Sequence, residues 1–355
     1  MKKNNIFLIY GTVIAAYIII QLLMSAGAVT SSLRGQLVPI CAYIVMAVSL
    51  NLTVGVLGEL SLGHAGFMSI GAFTGVVACM SLESALPPTL PRFVISLLVG
   101  AAFAGVAGFL IGIPVLRLNG DYLAIVTLAF GEIIKNIINC LYVGIDSRGL
   151  HLSFLTNSDA LNLEEGGTVI INGPMGIAGI TKLSTFTFGF ALVLVALFIV
   201  LNLIRSRAGR AIMALRDNRI AAESIGINVT KYKLMAFVTS SALAGAAGTL
   251  FALNYSTITA AKFNFNTSIL VLVFVVLGGL GNIWGSIIAT TVLVILPELL
   301  REFNDYRMLV YAIVLILVML ATNNATFKNT LRELVNKIIP EKLIKRKEGT
   351  TDGNS

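Results

Sequence analysis

The chain has 355 residues, of which 57% are hydrophobic and only 12% are charged, and its net charge is +8. Soluble domains carry about 25% charged residues, so the composition excludes a water-soluble enzyme and a nucleic-acid-binding domain. The apolar residues form continuous runs, many of roughly 20 residues, the length that a helix needs to cross a bilayer. Barrel strands would alternate polar and apolar residues instead. The sequence therefore predicts an all-α, polytopic helical membrane protein.

The first apolar run covers residues 6–28 and follows two lysines. This pattern fits either a secretory signal peptide or a retained first span. The apolar region of a signal peptide has about 7–15 residues. Because this run is longer, we predict a retained span with the N-terminus in the cytoplasm. Further spans are predicted in the first part of the chain at residues 36–57, 64–82, 93–113, 121–142 and 184–204.

Two loops predict the orientation of the chain in the membrane. Residues 205–233 contain seven basic and two acidic residues, whereas residues 143–183 contain two basic and four acidic residues. Short loops rich in lysine and arginine stay in the cytoplasm. The loop 205–233 is therefore predicted to be cytoplasmic and the loop 143–183 extracytoplasmic.

The C-terminal third contains predicted spans at 234–255 and 306–322, with an apolar stretch at 268–297 between them. The tail 323–355 has seven basic and four acidic residues and is predicted to be cytoplasmic. This requires 268–297 to form two passages or a re-entrant hairpin that turns in its glycine-rich centre. We therefore predict ten membrane passages with both termini in the cytoplasm. The transmembrane domain is residues 1–322, and the tail is either an amphipathic surface helix or disordered.

Small residues recur four positions apart in several spans, which predicts close helix crossings. The pairs are Gly71 and Gly75, Gly108 and Gly112, Ala244 and Gly248, and Gly281 and Gly285.

Motifs for nucleotide binding, zinc-dependent hydrolysis and clustered Cys/His metal sites do not occur in the sequence. We therefore predict no catalytic residues, no cofactor and no metal site. If nucleotide energy drives this protein, a separate subunit must bind the nucleotide.

Ionisable residues within apolar segments are costly and commonly serve function. Glu59 and His64 lie in the glycine-rich segment 58–66, which is either a pore-lining helix break or a cytoplasmic loop at the membrane surface. Glu132 and Lys135 can meet on one helix face, either as a structural ion pair or as a polar lining for a zwitterionic solute. The candidate pathway and helix-break residues are Glu59, His64, Asp121, Glu132, Lys135 and Gly279.

The basic segment 206–219 is followed by a short predicted helix at 220–228. Ala221, Ala222 and Ile225 are predicted to share its apolar face, and Gly226 is predicted to end it. Such a helix could lie on lipid headgroups, or it could fit a groove on a cytoplasmic partner.

The Ala-Ala-x-x-x-Gly pattern at 221–226 resembles the coupling motif of ABC importer permeases, although Ile220 stands where a glutamate usually precedes the alanines. Longer stretches are similar to the LivM-type permease subunit of branched-chain amino acid importers. They cover residues 58–75, 120–133, 172–177, 206–237 and 277–285. The resemblance extends from about residue 36 to residue 321.

This resemblance implies a subunit that forms the pathway for leucine, isoleucine and valine in the bacterial cytoplasmic membrane and does no chemistry itself. It implies a heterodimer with a second permease subunit, two cytoplasmic ATP-binding subunits and an extracytoplasmic solute-binding protein, all in a lipid bilayer and without nucleic acid. The residues implied in coupling to the ATPase are Arg216, Asp217, Ala221, Ala222, Glu223 and Gly226.

Two other functions remain open from the sequence. Similar ABC permeases carry urea or short amides, because specificity rests mainly with the binding protein. An ion-coupled secondary transporter belongs to a different class, and it would favour a chain of intramembrane acids on facing helices. A membrane-embedded enzyme is excluded because the sequence has no catalytic set beyond scattered acids.

Overall fold

The computed structural model describes residues 3–27, 30–83, 88–118, 120–146, 149–154, 161, 163, 167–300, 306, 309, 310, 312, 313, 315 and 316. The chain divides into two compact units, residues 1–295 and 296–355. The first unit contains nearly all the described residues. The predicted tail 323–355 and most of the predicted span 306–322 lie outside the described residues.

The described residues are mostly helical. The α-helices are α1 (Lys3–Ser25), α2 (Ser31–Asn51), α3 (His64–Ser81), α4 (Thr89–Val115), α5 (Asp121–Asn139), α6 (Phe186–Arg205), α7 (Arg207–Asp217), α8 (Arg219–Ser224), α9 (Val229–Ala252), α10 (Phe265–Gly278) and α11 (Ile283–Leu299). A π-helical turn, Leu52–Leu57, continues α2, and short 3-10 turns lie at Gly173–Met175 and Ala260–Lys262.

Six helical segments are long and apolar enough to cross a membrane. They are Ser31–Leu57, His64–Ser81, Thr89–Val115, Phe186–Arg205, Val229–Ala252 and Ala260–Gly278. These segments confirm the helical membrane class and match most of the predicted spans. The predicted span 121–142 forms α5, which is not among the six, and the apolar segments Tyr10–Ser25 and Ile283–Leu299 are shorter.

A small antiparallel sheet corrects the all-α prediction. Its strands are β1 (Tyr142–Asp146), β2 (Gly149–Ser153), β3 (Thr168–Asn172), β4 (Ile177–Ala178) and β5 (Thr257–Ile258), in the order β2-β1-β3-β4-β5. Four strands lie in the predicted loop 143–183. The charges of this loop predicted its side of the membrane but not its secondary structure. Strands of two to five residues are too short to give a clear alternating pattern.

The pairing of β4 with β5 joins two distant parts of the chain. Ile177 lies opposite Ile258 in the register. Since β5 follows α9, the end of α9 lies beside the sheet. The beginning of α9 follows residues 205–228, which contain the basic residues 206–219 and the short predicted helix and are called the basic segment from here on. The sheet and the basic segment are therefore found at opposite ends of α9.

The core is built by α9 packing closely against α3 and α4. A Cβ atom on Gly71 of α3 would overlap the carbonyl oxygen of Gly245 in α9, and one on Gly75 would overlap the side chain of Thr249. Small side chains allow backbones to approach closely where no hydrophobic effect drives helices together in lipid. Other glycines at such crossings are Gly100, Gly108, Gly112, Gly248, Gly278 and Gly285. The prediction of close crossings is confirmed for three of the four pairs, whereas Gly281 lies in the turn between α10 and α11 and not on a helix with Gly285.

We expect Gly71→Ala to destabilise the protein, because the added methyl group must displace the backbone of α9 and overpacking typically costs about 1–3 kcal/mol. The measurement is the temperature at which the detergent-purified chain ceases to elute as a single species. Gly35→Ala in α2 is the matched control, since nothing lies within 4 Å of the added atom and alanine favours a helix by about 0.5–1 kcal/mol over glycine. A Gly71→Ala variant as stable as Gly35→Ala would contradict the close crossing.

Candidate functional site

The segment 58–66, predicted either as a pore-lining helix break or as a surface loop, interrupts the helices between the π-helical turn and α3. Residues 58–63 are not helical, and Gly58 has a φ of +82°, a left-handed conformation that favours glycine. The free backbone groups find partners on other helices. The Leu62 N–H donates to Thr127 Oγ1 at 3.0 Å, and the Ala65 N–H donates to the Ser268 hydroxyl at 3.1 Å. The break is thereby held between α5 and α10.

Glu59 in the break forms an ion pair with Lys233 near the start of α9. The exposed fractions of these side chains are 16% and 4%. Two charges withdrawn from water to this degree are tolerated only as partners. Glu59 is a candidate from the sequence whereas Lys233 is not, because the two residues are 174 positions apart. The presence of Glu59 in an apolar part of the sequence does indicate that some cation must lie nearby, but it does not indicate which one.

His64, the first residue of α3, is buried and 1% exposed. Its Nε2 atom lies 2.8 Å from the Ser49 hydroxyl of α2, and its ring packs edge-on against Phe67. In this conformation His64 connects α2 to α3 from within the core.

The apolar stretch 268–297 forms a helical hairpin, α10 and α11, that turns at residues 279–282. Gly279 has a φ of +91° in this turn. Asn51, fully buried at the end of α2, accepts a hydrogen bond from the Gly281 N–H at 2.8 Å. Its amide donates to the Ser286 hydroxyl at 2.8 Å. One side chain that no sequence pattern indicated therefore fixes the hairpin to α2.

Glu132 and Lys135 on α5 form the predicted ion pair. The second carboxylate oxygen of Glu132 accepts a hydrogen bond from the Phe265 N–H at 3.2 Å, so the pair also attaches α5 to the start of α10. A negative charge is favourable at a helix N-terminus. The exposed fractions are 33% for Glu132 and 21% for Lys135. Asp121 is exposed in the first turn of α5, about 16 Å away along the helix axis, and does not join them.

The basic segment folds as two short helices, each with a capped start. The Gly209 N–H donates to the Ser206 hydroxyl at 3.1 Å in α7, and the Ala221 N–H donates to Asn218 Oδ1 at 3.0 Å in α8. Such caps satisfy backbone donors that the helix leaves free. Arg216 at the end of α7 pairs with Asp217 at 2.9 Å.

Arg216 also connects the basic segment to the membrane core. Its Nη1 atom donates to the Gly55 carbonyl oxygen in the π-helical turn at 3.1 Å. The chain leaves that turn and enters the break that Lys233 contacts through Glu59. Two cations of the segment 205–233 thus hold the region around the helix break.

The apolar face predicted for the short helix is only partly correct. Ala221 and Ile225 are exposed, but Ala222 is 2% exposed and packs inward against Leu215 and Val229. The reason is that α8 ends at Ser224, so Ile225 does not continue the helical spacing.

Two large apolar side chains are exposed here. Ile220 in α8 is 80% exposed, and Ile225, directly after α8, is 76% exposed. Glu223 is paired on the helix surface with Arg219 at 3.2 Å. Gly226, with a φ of +85°, follows the helix and directs the chain towards α9.

The fold and these contacts define a multi-pass membrane protein that presents a short helix at one end of its helical core. Residues 32–319 match the protein family described as "Branched-chain amino acid transport system / permease component", and the chain belongs to this family. No solved structure matches the chain.

Three relatives illustrate the range of similarity. The chain is 38% identical to the high-affinity branched-chain amino acid transport system permease protein LivM of Salmonella typhimurium, and 37% identical to that of Escherichia coli. Both alignments cover 78% of this chain and 66% of the relative, so the chain spans slightly less than two thirds of their length. It is 27% identical to the ribose import permease protein RbsC of Haemophilus influenzae, over 79% of this chain and 81% of that protein.

We expect Lys233→Met to destabilise the protein, because it leaves the Glu59 carboxylate buried without a partner. Breaking a buried ion pair on one side typically costs about 3–5 kcal/mol. The measurement is the melting temperature of the purified protein. Adding Glu59→Gln to Lys233→Met should recover part of the loss, since the unpaired charge is removed.

Lys231→Met is the control for this prediction. Lys231 lies two positions from Lys233 and is exposed, so its loss should change stability by less than about 0.5 kcal/mol. Equal effects of the two single changes would show that the ion pair has no special importance.

Proposed function

We propose that the chain is the permease subunit of an ATP-driven importer and forms part of the pathway for branched-chain amino acids across the cytoplasmic membrane. The proposal rests on family membership and on two relatives whose names specify high-affinity branched-chain amino acid transport. The subunit would not be an enzyme itself, because ATP hydrolysis would take place on separate subunits. A second permease subunit and an extracytoplasmic binding protein would complete the importer.

The coupling of ATP hydrolysis to transport is proposed to occur through α8. The observation that carries this proposal is the exposure of Ile220 in the short helix α8 and of Ile225 directly after it, while Ala222 of the same helix is anchored inside. Exposed isoleucines surrounded by charged residues are suited to a groove on a cytoplasmic protein. Movement of α8 would reach the membrane core through Arg216 and Lys233.

The topology that fits this function has ten membrane passages with both termini in the cytoplasm. Three features support it. The basic segment 205–228 and the sheet lie at opposite ends of α9, and β5 precedes α10 on the side of the sheet. The hairpin turn at 279–282 lies beside Asn51 and near the basic segment. In this arrangement α10 and α11 are two short passages that turn on the cytoplasmic side.

The pathway is proposed to run beside the helix break and the pair Glu132–Lys135. The start of α3 and the start of α10 both lie close to Glu132. Interrupted helices commonly form solute sites in transporters because their ends present unpaired backbone groups and partial charges. A carboxylate and an ammonium group that remain partly exposed are suited to a solute that carries both charges.

The test is uptake of labelled leucine into vesicles that contain the chain with its partner permease, the two ATPase subunits and the binding protein. We expect leucine uptake to require ATP on the side of the vesicle membrane that carries the ATPase subunits. We also expect isoleucine and valine to inhibit this uptake. Inhibition by urea or acetamide, but not by valine, would instead indicate the amide-transporting alternative. Leucine uptake that survives without ATP in a proton gradient would contradict the proposal.

We expect Ile220→Arg and Ile225→Arg to weaken capture of the ATPase subunits about 30-fold or more, since central interface residues contribute at least about 2 kcal/mol. The measurement is the amount of ATPase retained on the tagged permease in mild detergent. Met175→Arg is the matched control, because Met175 is 71% exposed beside the sheet at the opposite end of α9. Ala222→Arg is a different test, because it would disrupt the basic segment itself.

Retention of the ATPase by both isoleucine variants at the level of Met175→Arg would contradict docking through α8.

A further inference from the structure

A pocket of about 300 Å³ lies where α6 passes into α7, beside the π-helical turn and the α10–α11 turn. Three arginines line it: Arg205 at the end of α6, Arg210 in α7 and Arg216. Leu201, Ile204 and Met213 form apolar walls. The pocket is therefore lined by both strongly basic and apolar side chains.

The positive charge of this pocket is only partly compensated. Arg216 is paired with Asp217, but among the described residues neither Arg205 nor Arg210 has a carboxylate within ion-pair distance. The Arg210 guanidinium donates one hydrogen bond to the Arg205 carbonyl oxygen at 3.3 Å, which leaves its other N–H groups for a ligand. Guanidinium groups bind phosphate oxygens in pairs of parallel hydrogen bonds.

The apolar lining of the pocket continues along α6. Phe198 is 62% exposed and precedes Arg205 by seven positions, about two helical turns, so the two residues share one side of α6. Arg205 is the last residue of this apolar helix, so it lies where a bilayer changes from hydrocarbon to headgroups. A ligand that bears a phosphate and an acyl chain would contact both parts at once.

We propose that this pocket binds the phosphate-bearing headgroup of an anionic phospholipid from the membrane leaflet next to α7, with an acyl chain along α6. Basic pockets between membrane helices near the cytoplasmic surface are suited to anionic headgroups. Free phosphate shares the chemistry of the headgroup but would not use the apolar wall. The proposal goes beyond amino acid transport and does not depend on it.

The ligand would affect the region around the helix break. Arg216 lines the pocket and also donates to the Gly55 carbonyl oxygen, so the same side chain contacts both the lipid and the π-helical turn. An occupied pocket would hold α7 against the end of α2. Anionic lipid would therefore stabilise the position of the basic segment relative to the core.

The first test uses the full chain in nanodiscs made of equal parts of phosphatidylglycerol and phosphatidylcholine. After extraction, native mass spectrometry measures the ratio of the two lipids that remain bound. We expect enrichment of phosphatidylglycerol, and a loss of about five-fold per arginine in Arg205→Gln/Arg210→Gln. Arg210→Gln alone serves if the double variant does not elute as a single species.

The control is Arg207→Gln/Lys231→Gln, which removes the same charge from exposed positions that do not line the pocket. It should retain the enrichment. An equal loss of phosphatidylglycerol in the control would overturn the proposal, because it would show that the lipid responds to the overall surface charge. Unchanged enrichment in the arginine variants would also overturn it, because it would show that the pocket does not bind the lipid. Loss of phosphatidylglycerol on assembly with the ATPase subunits would overturn it in favour of an acidic protein segment.

The second test distinguishes the lipid from free phosphate. Trp284 is the single tryptophan of the chain and follows Gly281, which lines the pocket, by three residues. Its fluorescence should change when phosphatidylglycerol is added to nanodiscs of phosphatidylcholine, and should not change with inorganic phosphate. A response to inorganic phosphate that equals the response to lipid would overturn the proposal in favour of a free-anion site.

Discussion

The structure depends on satisfying the backbone groups at the places where its membrane helices are interrupted. Such groups have no water to bind in hydrocarbon, so irregular backbone survives there only when protein supplies its partners. At the helix break, hydroxyl groups of Thr127 and Ser268 accept hydrogen bonds from the N–H groups of Leu62 and Ala65. At the hairpin turn, the Asn51 amide oxygen accepts from Gly281. Polar side chains of α2, α5 and α10 thus make the interruptions possible.

The two interruptions lie in the same region as the contacts of the basic segment. Arg216 reaches the π-helical turn before the break, and Lys233 reaches Glu59 within it. The hairpin turn approaches Gly55 closely enough that a Cβ atom there would overlap the Gly281 backbone. A shift of α7 or α9 would therefore act on non-helical backbone, which deforms at lower cost than a continuous helix because fewer hydrogen bonds must break.

Much of this arrangement could be predicted from the sequence because its signals are local. Glycine density located the break and the hairpin turn, charge density located the basic segment, and three-residue spacing paired Glu132 with Lys135. What could not be predicted depends on contacts between distant positions. Lys233 pairs with Glu59, and β4 pairs with β5, across separations that no local pattern encodes. The exposure of Ile225 follows an early helix end at Ser224 that hydrophobic spacing alone does not indicate.

Because α9 is attached at both ends, it can transmit a displacement from one surface of the protein to the other. The helix has 24 residues and is held by Lys233 near one end, while the chain beyond its other end enters the sheet through β5. Its length is about 36 Å, so a tilt of about 5° around its centre would move the two ends by roughly 1.6 Å in opposite directions. A small displacement beside α8 would thus arrive at the far surface with its direction reversed.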